Sequence, residues 1–107
     1  MSDLAIEVTV SAATATVVIR GELDMVTMPR LARRLALVLA DGPQRLVLDL
    51  ADVTYIDCAS ARLITGTGRH LPAGVRPAIR LPSMVVRRVL ALTGLADCLD
   101  IGPTGGE

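Results

Sequence analysis

What most restricts the fold of this chain is the way its hydrophobic period switches between two and about 3.6 residues along its length. In LAIEVTV the apolar residues Ile6, Val8 and Val10 alternate with Glu7 and Thr9. A small-residue turn then leads into TATVVIR, and the two runs predict a strand hairpin. In GELDMVTMPRLARRLALVLADG, by contrast, Met28, Leu31, Ala32, Leu35, Val38 and Leu39 recur at helical steps while Arg30, Arg33 and Arg34 fall between them. That pattern predicts an amphipathic helix, with Thr27 as N-cap, Pro29 in the first turn, and Gly42 and Pro43 closing the far end.

The alternation continues to the end of the chain. RLVLDLADVTYID reads as a strand with little polar alternation, of the kind that is normally covered on both faces. CASARLITGTGRHL reads as a helix with a face of Ala59, Leu63, Ile64 and Leu71, weakened by Gly66 and Gly68. VRPAIRLP predicts a short strand, SMVVRRVLALTGL a helix capped by Ser83 and ended near Gly94, and DCLDI a last short strand. The tail 102–107, GPTGGE, is expected to fray. The order strand, strand, helix, strand, helix, strand, helix, strand predicts an α/β fold. The expected form is one small domain over 1–107, with a mostly parallel or mixed central sheet of about five strands and helices packed against it.

Size and composition agree with that reading. A chain of 107 residues, about half of them apolar, buries roughly two thirds of its unfolded surface, enough for one core. With no Trp, no Phe and Tyr55 as the single aromatic residue, the core must be aliphatic. Eleven acidic residues balance eleven basic ones, all of them arginine. The absence of a basic excess and of stacking aromatics argues against direct nucleic-acid binding. The pairs Arg33–Arg34 and Arg87–Arg88 are read as solvated helix faces. Cys58 and Cys98 match no metal-binding spacing and are read as free thiols in a reducing compartment. The amino terminus has no basic segment followed by an apolar run, and no stretch reaches the roughly 20 apolar residues of a spanning helix. A cytoplasmic protein without membrane segments, metal or cofactor is expected.

Candidate chemistry centres on TYIDCASARLI, where a strand ends and a helix begins, the usual place for functional groups in α/β folds. Ser60 is the obvious hydroxyl there. A nucleophile needs a base within reach, and the sole histidine, His70, would lie about three helical turns away from it. His70 is read as a partly exposed residue in the last turn. Cys58 lacks a base and adjoins the Asp57 carboxylate, which opposes a reactive thiolate, so it is read as a small buried apolar residue. Asp57 is expected to cap the following helix. A helix N-terminus at Cys58 to Ser60 is also a natural anion site. No dinucleotide fingerprint or phosphate loop is present, and a chain without lysine cannot supply the latter.

Three segments, RGELDMVTMPRLARRL, LVLDLADVTYIDCASARLI and LPSMVVRRVLALTGLADCLDI, together resemble the STAS domains, the sulfate-transporter and anti-sigma-factor-antagonist family. The resemblance runs from Ile6 to Ile101 in the same order of elements. It implies a small α/β protein-interaction module, not an enzyme. Free-standing bacterial members of that family bind an anti-sigma factor that is also a serine kinase, and so release a sigma factor. Their switch is a hydroxyl residue in a pattern similar to D-S-S-G-L, whose second serine is phosphorylated, ending the binding through added charge and bulk. On this chain the Asp is Asp57, the first serine is Cys58, the phosphorylated serine is Ala59 and the glycine is Ser60. The resemblance therefore implies that the usual acceptor is missing, with Ser60 as the only local substitute. Asp24, in GELD, matches an acidic residue in the turn beside the switch loop; a helix-start carboxylate favoured by the dipole explains it equally. Met25, Val26 and Met84 could add soft apolar contact area, whereas Met28 is better read as core. The alternative is a sensory or regulatory domain binding a nucleotide or small anion.

Overall fold

The strand hairpin forms, and the rest of the sheet grows from its second strand. A computed structural model describes residues 3–102. The elements are β1 (Leu4–Ser11), β2 (Thr14–Leu23), α1 (Met28–Ala40), β3 (Arg45–Ile56), α2 (Cys58–Gly66), β4 (Ala78–Arg80), α3 (Met84–Thr93) and β5 (Asp100–Ile101), with 3-10 turns at Thr67–His70 and Leu95–Cys98. The five strands lie in the order β1-β2-β3-β4-β5, β1 antiparallel to β2 and every later pair parallel. The expected mixed five-stranded α/β fold is therefore observed.

That order decides where the helices go. The crossovers from β2 to β3, β3 to β4 and β4 to β5 all step the same way along the sheet, and right-handed crossovers stepping the same way place their helices on one face. Burial agrees. Ala15, Val17, Ile19 and Leu23 of β2 and Leu46, Leu48, Leu50, Val53 and Ile56 of β3 join Leu31, Leu35, Ile64, Val86 and Leu90 of the helices in a single aliphatic cluster. The intervening strand residues are half-buried or exposed and carry the ion pairs: Arg20 with Glu7 and Asp52, and Arg80 with Asp49. The expectation that β3 is covered on both faces is thus corrected. Val47 is apolar on the open side, but Asp49 and Asp52 hydrate it.

Local chemistry sets the joints. Ala12 and Ala13 form the two-residue hairpin loop with φ of 50° and 64°, the left-handed pair that a type I′ turn requires and that strains residues with a Cβ. The Ala13 carbonyl accepts from the Gln44 and Arg45 amides at 2.8 and 3.3 Å, holding the turn from outside. The GEL of GELD is strand, not turn; irregular β2–β3 pairing sits between Gly21 and Glu22, and the turn starts at Asp24.

Two helix faces differ from expectation. The buried line of α2 runs through Ser60, Ala61 and Ile64 and continues into Thr67 and Leu71, so Ala59 is exposed instead of packed. In α3, Ser83 accepts from the Val86 amide and Gly94 closes the helix at φ 74°, as expected. Arg87, however, is half-buried and donates to the Gly102 carbonyl at 3.0 Å instead of facing solvent. The Gly102 amide in turn donates to the Ile79 carbonyl at 2.8 Å. Gly102 is therefore tied down, and the remainder of the tail expected to fray, 103–107, lies outside the described residues.

Candidate functional site

The carboxyl ends of β2 and β3 are adjacent because the strands are parallel and Leu23 pairs with Ile56. The next residue on each strand is acidic, Asp24 on one and Asp57 on the other, and the Asp57 amide donates to the Leu23 carbonyl at 3.0 Å. Main-chain pairing thus brings the two acidic candidate residues together at one edge of the sheet.

Each carboxylate then organises its own loop. Asp24 Oδ1 accepts from the amides of Val26 and Thr27 at 2.9 and 3.0 Å. The Thr27 hydroxyl accepts from the Asp24 amide at 3.0 Å and donates its proton to the Glu22 carbonyl at 2.6 Å. Thr27 is therefore buried as the pin of this loop, and it does not cap α1 with its side chain as expected. The tightened loop leaves Met25 and Val26 pointing outward, Met25 82% exposed. Met28 is half-buried at the start of α1.

Asp57 caps α2 as expected, its Oδ1 accepting from the Ser60 amide at 2.7 Å. The same bond fills the place an external anion would take at this helix N-terminus with the protein's own carboxylate. Cys58 is exposed, not buried as expected, and so is Ala59. Ser60 points the other way: it is 0% exposed and its hydroxyl has no hydrogen-bond partner. Ser60, expected as the only local substitute for the phosphate acceptor, thus keeps its hydroxyl out of contact with solvent. Its place is that of a small residue against the core.

A third element completes the edge. Ser83 Oγ donates to the Val53 carbonyl at 2.7 Å and the Ser83 amide to the Leu50 carbonyl at 3.2 Å. These bonds clamp the start of α3 to the end of β3. Between them lies a largely apolar groove of about 320 Å³, lined by Tyr55, Ile56, Met84, Val85, Arg88 and Val89. Sequence reasoning singled out Met84 but missed Tyr55, Val85 and Arg88. A signal existed: Tyr55 is the single aromatic residue of the chain, on an otherwise aliphatic strand.

Nothing at the edge assembles into catalytic machinery. His70 is exposed at the end of the 3-10 turn that follows α2, away from the Asp57 cap. Among the described residues no group of His, Cys, Asp and Glu could hold a metal ion, and no helix is long and apolar enough to cross a membrane.

Comparison with known proteins accounts for this arrangement. The family model for the STAS domain matches residues 5–107. The chain belongs to the STAS domain family. An anti-sigma-F factor antagonist of Mycobacterium tuberculosis is 30% identical over 76% of this chain; the match spans 66% of that relative, just under two thirds of its length. An anti-sigma-B factor antagonist of Staphylococcus aureus is 30% identical over 92% of this chain and 93% of its own. Among solved structures, an anti-sigma factor antagonist from Mycobacterium paratuberculosis superposes with a TM-score of 0.83 at 30% identity, covering 95% of this chain and 87% of that one. The relatives and structural neighbours of this STAS domain are thus anti-sigma factor antagonists, regulatory binding proteins rather than enzymes, which is the class expected from the sequence.

Proposed function

We propose that this STAS domain, acting in the cytoplasm, is an anti-sigma factor antagonist that captures a serine-kinase anti-sigma factor through the edge carrying Asp24, Asp57, Cys58 and Ala59, and so frees a sigma factor. The observation that carries the proposal is a concentration of exposed apolar side chains. Of the eight large hydrophobic residues exposed among the described residues, five surround this edge: Met25, Val26, Tyr55, Met84 and Val85. A patch of that kind beside structured polar loops suits a protein partner. The names of the relatives support the choice of partner.

In this reading Ala59 occupies the position at which family members carry the phosphorylated hydroxyl. It offers no oxygen, and buried Ser60 does not replace it. Binding is then not ended by phosphorylation at the switch loop. The test mixes the protein with a kinase-type anti-sigma factor from the same genome, with and without ATP, and follows binding by calorimetry and phosphate by mass spectrometry. The expected result is a stable complex, no phosphate on this chain, and gain of phosphate with loss of binding in Ala59→Ser. Phosphate on wild-type Ser60, or the same affinity for wild type and Ala59→Glu, would overturn it.

A further inference from the structure

A cavity of about 540 Å³ lies among the described residues at the opposite end of the sheet, where the parallel strands begin. We propose that it is a binding site for a small organic phosphate monoester, held by Arg45 and Arg76. This proposal is independent of the partner surface, because every residue it uses lies at the amino ends of the strands.

Two arginines line the cavity, Arg45 as the first residue of β3 and Arg76 from the loop before β4. Arg20 and Arg80 are engaged by carboxylates and Arg87 by a carbonyl, whereas neither Arg45 nor Arg76 makes a side-chain hydrogen bond or ion pair among the described residues. Asp100 also lines the cavity but pairs with neither arginine. Both arginines are carried by fixed backbone. The Arg45 amide donates to the Ala13 carbonyl. Arg76 stands before Pro77, which restricts it to extended conformations, and Pro77 is buried with its carbonyl accepting from the Asp100 amide at 2.9 Å.

The chemistry selects the ligand class. Planar guanidinium forks suit phosphate oxygens, and two of them suit a dianion. Behind them, buried Leu46 and Leu99 supply an apolar floor for the body of an organic molecule. The Thr14 hydroxyl and the Asp100 carboxylate offer hydrogen bonds to a hydroxyl or amino group on that organic body. The volume falls within the range of small-ligand pockets, about 300–1,000 Å³.

The experiment is an amide NMR titration of the full chain with adenosine monophosphate, inorganic phosphate and adenosine, repeated on Arg45→Gln/Arg76→Gln. Both arginines are exposed, so the double variant should keep the wild-type spectrum elsewhere. The expected result is saturable shifts at Thr14, Arg45 to Val47, Gly74 to Ala78 and Asp100 with the nucleotide. Either fragment alone should bind more weakly, and the double variant should lose affinity by about tenfold or more. No shifts at millimolar nucleotide, shifts confined to Asp57–Ser60, or equal affinity in the double variant would each overturn the proposal.

Discussion

The amide of Asp57 donates to the carbonyl of Leu23 at 3.0 Å, tying the first residue after β3 to the last residue of β2. Through that one bond the Asp24 loop and the cap of α2 become a single mechanical unit. Both acidic side chains turn back onto their own backbone, Asp24 onto Val26 and Thr27 and Asp57 onto Ser60. They shape the loops that present Met25, Val26, Cys58 and Ala59.

The cap should be measurable on its own. Asp57→Ala removes the acceptor of the Ser60 amide and is expected to cost about 1 kcal/mol, with Asp57→Asn recovering most of it. Urea denaturation of the three proteins checks this. A midpoint unchanged in Asp57→Ala would show that the bond contributes nothing.

Ser60 carries a buried hydroxyl with no partner, a desolvation cost of about 1–3 kcal/mol with nothing to offset it. Ser60→Ala keeps the size of the first-turn residue and favours the helix. It is expected to raise stability by about 1 kcal/mol, read as a higher denaturation midpoint.

The hairpin should be improvable in the same way. Ala12 and Ala13 occupy left-handed backbone at φ 50° and 64°, where Asn and Gly are the residues of choice. Ala12→Asn/Ala13→Gly is expected to stabilise the fold by about 1 kcal/mol or more. Equal or lower stability would mean that the Gln44 and Arg45 bonds to Ala13 already offset the strain.

At Gly21 the opposite holds. Its φ is +110°, and a Cβ there would lie 2.2 Å from the Asp3 carbonyl oxygen, which already accepts from the Glu22 amide at 2.9 Å. Gly21→Ala must therefore push β1 away from β2, at an expected cost of about 2 kcal/mol or more. Thermal unfolding checks the size, and amide exchange in β1 checks the location.

The apolar groove makes a binding prediction. Tyr55→Ala and Met84→Ala remove exposed side chains, so unfolding midpoints should stay within about 0.5 kcal/mol of wild type. Affinity for the proposed anti-sigma partner should fall by about 1–2 kcal/mol for each, measured by calorimetry. Unchanged affinity in both would move the interface elsewhere.

The element order and sheet class were legible in the sequence because they rest on hydrophobic period, which the aliphatic core of this chain displays without interruption. The orientation of α2 was not. Ala59, Ser60 and Ala61 are all small, so their order says little about which faces the core; only Ile64, Thr67 and Leu71 fix the line. Thr27 looked like a helix cap because Pro29 follows it, but its hydroxyl oxygen accepts from the Asp24 amide instead of an amide of α1, while its proton goes to the Glu22 carbonyl. The groove was hidden for another reason. Tyr55 and Val85 meet only because Ser83 clamps α3 to Val53, and no local pattern encodes a contact between elements so far apart in the chain.

The loop at the end of β3 is held by main-chain groups and by Asp57, and none of those bonds uses the side chains of residues 58 or 59. Whatever stands at position 59 is therefore displayed without being needed to build the display. Serine could replace alanine there, or alanine serine, with the architecture indifferent to the exchange. Under the proposed function, covalent control at this position can be gained or discarded while the complex it would control is kept.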